Sequence, residues 1–211
     1  TIYTQDDVEL GKYFRENRTN AKYNDLSPWL QKALVGTEDE RFHSHSGVDV
    51  RAFGRVVKGI VLNKKSQGGG STISQQLAKL LFPRKKLNKW ELVKRKFKEW
   101  IIATRLEKNY TKEEILTMYL NKFDFLNNAV GINSASQVYF GKTPKELELH
   151  EAAMLIGMAK NPSLFNPLRK PDTVQHRRNV VFAQMKKSKF ITQKMFDSLK
   201  TLPLGLNYTR V

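Results

Sequence analysis

The sequence predicts a mainly α fold built on a single core. Apolar residues recur at helical spacing in most segments, N-cap and capping-box signatures mark where those segments start, and the alternating pattern of a strand is almost absent. No internal repeat is visible.

Residues 1–26 are polar and weakly patterned, with aromatics at Tyr3, Tyr13, Phe14 and Tyr23, which suits a short hairpin or an irregular arm. Ser27-Pro28 supplies an N-cap and a proline for the first helical position; Trp29, Leu30, Ala33, Leu34 and Val35 follow at helical spacing, so a buried helix runs toward Glu38. Residues 50–65 interleave Phe53, Val56, Val57, Ile60, Val61 and Leu62 with Arg51, Arg55, Lys58, Lys64 and Lys65, and Gly68-Gly69-Gly70 breaks this basic, apolar insertion. Thr72 to Gln75 reads as a capping box opening a helix through Gln76, Leu77, Leu80 and Leu81, which Pro83 ends. Asn88 to Glu91 opens a long helix reaching about Asn109, and Thr111 to Glu114 opens another carrying Ile115, Leu116, Tyr119 and Leu120. Thr143-Pro144-Lys145-Glu146 combines cap, proline and box residue ahead of an apolar helix around Ala152 to Met158. Asn161-Pro162 and Asn166-Pro167 make turns, and two helices close the chain at 172–188 and 193–200, the second capped by Thr192. The organisation read from this is an arm over 1–26, a main domain over 27–200 and the start of a C-terminal linker over 201–211.

Lys and Arg number 37 against 20 Asp and Glu, a net charge of +17. A chain so basic is drawn to polyanions: nucleic acid, anionic lipid headgroups or phosphorylated substrates. It has no cysteine, which excludes disulfides and thiolate nucleophiles or metal ligands. No apolar run approaches the roughly 20 residues that span a bilayer. No signal peptide is visible and the first residue is not Met, so the chain reads as a fragment with room in its flanks for an anchor or a further domain.

Glu38-Asp39 stands where the first strong helix ends; it reads either as a solvated acidic helix end or as a carboxylate at a cleft lip serving as a general base. His43 and His45 lack a helical i,i+4 partner, so His45 is expected to hold its loop by hydrogen bonds rather than bind metal, and no metal site built by protein side chains alone is expected. The glycines ahead of the Thr72 cap resemble an anion cradle, with free backbone N–H groups and the positive end of a helix dipole. The Gly-Lys-Ser/Thr spacing of a nucleotide P-loop is missing. Gln75 and Lys79, four apart, bring amide donors and an ammonium to one face. Glu99 lies one turn after Arg95, as a helical salt bridge or as a partly buried carboxylate ruled by its basic neighbours. Arg84, Lys85, Lys86, Lys89, Lys94, Arg95, Lys96 and Lys98 stand against one acid, Glu91, with Trp90, Phe97 and Trp100 among them. Such a run suits a solvated face, a nucleic-acid groove or a helix lying on anionic lipid.

Taken in order, these pieces resemble one family. Glu38-Asp-x-x-Phe42-x-x-His45-x-Gly47-x-Asp49 is similar to the first signature of the peptidoglycan glycosyltransferases, which occur as a domain of bifunctional penicillin-binding proteins and as monofunctional enzymes. Gly69-Gly-Ser-Thr-Ile-Ser-Gln-Gln-Leu-Ala-Lys79 resembles their second, and Arg95-Lys-x-x-Glu99, continuing through Glu107, Lys112, Glu114-Ile-Leu and Tyr119-Leu-Asn121, their third. Tyr139-Phe-Gly141 and Glu151 to Gly157, through Asn161-Pro and Asn166-Pro167, resemble the later blocks. The resemblance runs from about Leu26 to Met185. The chain departs from the pattern at Leu126-Asn127-Asn128-Ala129-Val130, where the family carries glycines and an aromatic, and at Ser134 and Ser136.

The resemblance implies a lysozyme-like fold with a larger head lobe and a smaller membrane-facing lobe near 50–70. It implies an inverting polymerisation of lipid II: a growing glycan on undecaprenyl pyrophosphate is the donor, lipid II the acceptor and a β-1,4-linked strand the product. Glu38 would be the base on the acceptor hydroxyl and Glu99 a supporting catalytic carboxylate. Asp39, Ser71, Thr72, Gln75, Gln76, Lys79, Arg95 and Lys96 would bind substrate, the cations serving the departing pyrophosphate. A divalent cation, magnesium or manganese, would be bridged by substrate phosphate. The implied location is the outer face of the bacterial cytoplasmic membrane, with Phe53, Val57, Ile60 and Val61 dipping into the interface. Moenomycin-type inhibitors would bind, no nucleic acid would, and a transpeptidase domain is expected to follow the tail Leu202-Pro-Leu-Gly-Leu-Asn-Tyr208. Two other readings compete: a lytic, lysozyme-type glycosidase, and a nucleic-acid-binding module resting on the net charge and the 84–98 run alone.

Overall fold

The computed structural model of the chain describes residues 2–3, 9–11, 20–61, 70–82 and 89–209. Expectations placed on Gly68-Gly69, Pro83, Asn88 and the basic residues 84–86 lie outside the described residues, as do the side chains of Val57, Ile60 and Val61. Two short antiparallel strands, β1 (Ile2–Tyr3) and β2 (Glu9–Gly11), form the hairpin expected of the arm. The described remainder is helical: α1 (Pro28–Glu38), α2 (Val50–Val61), α3 (Ile73–Leu81), α4 (Lys89–Asn109), α5 (Lys112–Lys122), α6 (Ile132–Phe140), α7 (Leu149–Met158), α8 (Pro171–Lys187) and α9 (Gln193–Leu199).

Helix α7 is the axis of the core. Apart from the half-buried His150 and the buried cap residue Glu151 it is apolar, and it is buried from Ala152 to Met158, as a helix enclosed by others must be. Helices α1 and α8 pack against it, and α3 packs against α4 and α5. Glu38 therefore ends a helix fixed to the core, and α3 begins between two further helices. The caps expected from sequence set the starts: the hydroxyls of Thr72, Thr111 and Thr192 accept the N–H groups of Gln75, Glu114 and Met195, while the reciprocal half of the box closes at Thr111/Glu114 but not at Thr72/Gln75, where the Gln75 side-chain oxygen is unpartnered.

Two expectations need correction. The Thr143–Glu146 box closes a single turn, not a helix. Leu147 is buried and its carbonyl accepts the Ser27 hydroxyl, while Pro144 O accepts the Ser27 N–H. That docking onto the start of α1 turns the chain inward, and α7 starts afresh with a Glu148/Glu151 box. Helix α6 was not expected: Asn133, Ser134 and Ser136 interrupt its apolar pattern, and its cap is Gly131 at φ +83, where a Cβ would lie 2.7 Å from the Asn121 carbonyl oxygen.

The departure at 126–128 is a left-handed run. Leu126, Asn127 and Asn128 have φ of 64°, 51° and 62°. Asn tolerates this region; Leu does not, at roughly 1–2 kcal/mol per residue. Asp124 accepts the Leu126 N–H, and Tyr139 donates its hydroxyl to Phe125 O, which holds the turn. Leu126→Gly is expected to stabilise the chain by up to about 1 kcal/mol, seen as a melting temperature raised by about 2–4 °C.

Candidate active site

Asp39 joins the parts of the site. It is buried just past α1; one carboxylate oxygen accepts the Ile73 N–H at 3.0 Å, and His45 Nε2 donates to the carboxylate at 2.9 Å. His45 Nδ1 accepts the Gly47 N–H, so the imidazole holds its loop as expected. Gly47 lies at φ +98 against α4, and a Cβ there would stand 2.7 Å from the Ala103 carbonyl carbon. Lys112 donates to His45 O and pairs with Glu107, which accepts the Ser74 hydroxyl. The loop is thus tied to α3, α4 and α5 at once. Gly47→Ala is expected to cost at least about 2–3 kcal/mol, since both the backbone and the contact resist it. Thermal unfolding should show this as a drop of about 5–10 °C.

The anion cradle expected at the start of α3 is partly filled by the protein. Asp39 takes the Ile73 N–H, and Thr72 takes the Gln75 N–H while donating its own hydroxyl to Gly47 O. Asp39 and Thr72 therefore build the site from within. Gln75 is 2% exposed with its side-chain oxygen unpartnered, and Lys79 is exposed with no partner among the described residues, so the two do not converge.

Glu38 is held from two sides. Gln76 Nε2 donates to Oε2 at 2.9 Å, and the Arg177 guanidinium stands 3.7 Å from Oε1. Arg177 is itself buried, donates from Nε to Gly157 O and lies over the Phe165 ring. Burial pulls the Arg177 guanidinium below its ordinary value and the Glu38 carboxylate opposes that shift. Behind Glu38, Tyr119 donates its hydroxyl to Gln76 Oε1 at 3.2 Å.

The second cluster sits at the start of α3. Glu99 is 9% exposed and takes Arg95 at 3.5 Å and Lys96 at 3.0 Å, so the helical salt bridge and the carboxylate ruled by cations are the same group. Lys96 also donates to the Ser71 hydroxyl at 3.1 Å. Glu99 thereby aims an ammonium at the α3 N-terminus. One cleft includes both Glu38 and Ser71 in its lining, with Arg41, Asp49, Arg55 and Thr72. Asp49 caps α2 through the Arg51 and Ala52 N–H groups and pairs with Arg41. Among the described residues, no group of three His, Asp or Glu is placed to hold a metal ion.

Sequence reading gave no individual site role to Arg177, Tyr119, Arg41 or Arg55. A signal existed for Arg177: with Arg178 it falls on the face of α8 that buries Val174, Val181 and Met185, where a charge needs a partner. Beyond the cleft, α2, the end of α3 and the first half of α4 expose Phe53, Phe82, Trp90 (77%), Phe97 and Ile101. Phe53 and Phe97 each pack edge-on against Trp100.

A family model described as "Transglycosylase" matches residues 6–186. Penicillin-binding protein 1A of Escherichia coli (strain K12) is 39% identical over 207 residues, covering 98% of this chain and 24% of that protein. Penicillin-binding protein 1F of Bacillus subtilis (strain 168) is 36% identical over 206 residues, covering 98% and 28%. The chain thus spans about a quarter of the length of the curated relatives it matches. The crystal structure of Penicillin-Binding Protein 1A from Haemophilus influenzae is similar with a TM-score of 0.57 and 24% identity, over 98% of this chain and 21% of that one. That likeness concerns the fold, which is mainly α and lysozyme-like as the sequence led us to expect.

Proposed function

The chain belongs to the transglycosylase family, and from that premise we propose that it polymerises lipid II into β-1,4-linked peptidoglycan strands. The observation that carries this reading is one cleft lined both by Glu38, which a buried guanidinium holds, and by Ser71, the hydroxyl at a helix N-terminus that accepts from the Lys96 ammonium. Glu38 takes the proton from the acceptor's 4-hydroxyl as that oxygen attacks the donor's anomeric carbon. The bond from that carbon to the lipid pyrophosphate breaks, with inversion. Pyrophosphate leaves as a weak base and asks for positive charge rather than a proton. Lys96 and Ser71 meet it, Arg95 supports them, and Lys79 supplies a further ammonium from the exposed end of α3. Glu99 keeps Arg95 and Lys96 in place. Gln76 orients Glu38, while Asp39, Thr72 and Gln75 shape the walls.

A divalent cation, magnesium or manganese, enters this proposal only as a counterion of the substrate's phosphates. The described side chains do not fit a metal site of their own, because Glu99 is committed to two cations and Glu38 to Arg177. Moenomycin-type inhibitors would compete at the pyrophosphate cluster. A transpeptidase domain in the full-length protein is part of the same reading.

Among the described residues, no helix is long and apolar enough to cross a membrane. The exposed aromatic and basic face of α2 and α4 supports contact with the outer leaflet of the bacterial cytoplasmic membrane, with rings in the interface and Lys and Arg on headgroups. Replacing Trp90 and Phe97 together by Ser is expected to weaken co-sedimentation with phosphatidylglycerol vesicles by at least about tenfold; undiminished binding would move the contact elsewhere.

The test of function is incubation with fluorescent lipid II in detergent. Strands and free undecaprenyl pyrophosphate are expected. Release of muropeptides from purified sacculi would favour a lytic enzyme instead, and tight, steeply salt-dependent DNA binding without lipid II turnover would favour a nucleic-acid module.

A further inference from the structure

The polar groups behind Glu38 form a chain that ends in the core. Glu38 Oε2 accepts from Gln76 Nε2 at 2.9 Å, and Gln76 Oε1 accepts from the Tyr119 hydroxyl at 3.2 Å. Tyr119 is 1% exposed, on α5, packed beside Phe123. Gln76 is half-buried on α3. A glutamine amide has two faces, a donor and an acceptor, and either can be turned toward a neighbour. An ionised carboxylate only accepts. The Glu38 side of Gln76 must therefore present the NH₂ group, and the amide oxygen must then find a donor on the far side. Tyr119 is that donor.

Burial, with the Glu38 carboxylate adding to it, pushes the Tyr119 hydroxyl well above the usual tyrosine range. The hydroxyl keeps its proton at any working pH and acts as a fixed donor. It does not reach Glu38 directly and carries no proton in the reaction.

We propose that Tyr119 is a positioning residue for the base, setting the orientation of the Gln76 amide so that its NH₂ group faces Glu38. The inference rests on the reading of Glu38 as general base. Without the Tyr119 hydroxyl, the amide is free to turn its oxygen toward Glu38. That contact repels the carboxylate and turns it away from the place where Gln76 holds it. The base is then less well aimed at the acceptor hydroxyl, while substrate contacts at Ser71, Arg95 and Lys96 are untouched.

The experiment is the pH–rate profile of lipid II polymerisation for the parent chain, Tyr119→Phe, Gln76→Met and the double variant, with Glu38→Gln as control. Tyr119→Phe is expected to lower kcat by about three- to tenfold, the worth of one neutral hydrogen bond, with KM within about twofold. Adding Tyr119→Phe to Gln76→Met should change kcat less than about twofold, because the residue through which Tyr119 acts is already gone. Fully additive losses in the double variant would overturn the inference, as would a parent-like profile for Tyr119→Phe beside an inactive Glu38→Gln. If Tyr119→Phe proves too unstable to assay, Gln76→Met decides: a kcat matching the parent's overturns the proposal. Parent-like turnover by Glu38→Gln would instead remove Glu38 as base, and the inference would fall with it, which separates the two failures.

Discussion

Glu38→Gln is expected to slow strand formation by about 10²–10⁴-fold, the usual contribution of a positioned general base, while lipid II still binds. Glutamine keeps the volume and can still meet Gln76, but it cannot accept the acceptor's proton. The substitution also removes the charge that faces Arg177. That guanidinium is buried between Gly157 O and the Phe165 ring, so it would be left without an anion at a cost of about 1–3 kcal/mol. Melting and activity should therefore be measured on the same sample. A folded Glu38→Gln chain that binds lipid II and makes no strand supports the assignment. Polymer at the parent's rate would keep the family and remove Glu38 as its base.

The second large effect is expected at Lys96. Lys96→Met should lower kcat by about 10²–10³-fold, the scale for losing one preorganised donor to a developing negative charge. Its ammonium is 3.1 Å from the Ser71 hydroxyl and 3.0 Å from Glu99, and 41% of its side chain is open to the solvent through which the pyrophosphate would come. Glu99→Gln should be milder, about tenfold, because both cations remain and lose only the charge that aims them. The order of the two variants is the check. If Glu99→Gln were the worse, Glu99 would act on the reacting atoms rather than through Lys96. If Lys96→Met turned over at the parent's rate, Lys79, which has no partner among the described residues, would be the cation that counts.

What was legible in the sequence was the part of the site written within one turn of one helix. The caps at Ser27, Thr72 and Thr111 stand where their spacing put them. Glu99 pairs with Arg95 one turn back and with Lys96 beside it, which follows from the helical repeat. Gly47 was legible as part of a signature, though not as the glycine that must lie against the Ala103 carbonyl.

By itself, then, the sequence determined a mainly α chain, the starts of α1, α3, α5 and α9 and the helices that carry both carboxylates, because capping and helical spacing are settled by residues a few positions apart. The tertiary structure alone decided what those carboxylates meet. Arg177 reaches Glu38 only because α1 and α8 both pack on the buried α7. Asp39, expected from sequence to bind substrate, lines the cleft and also accepts the Ile73 N–H at the first turn of α3, because its loop is tied to three helices. Tyr119 stands behind Gln76 because α3 packs against α5. Buried polar groups must find partners wherever the core brings them, and the core is assembled from faces far apart in the chain, which no local pattern records.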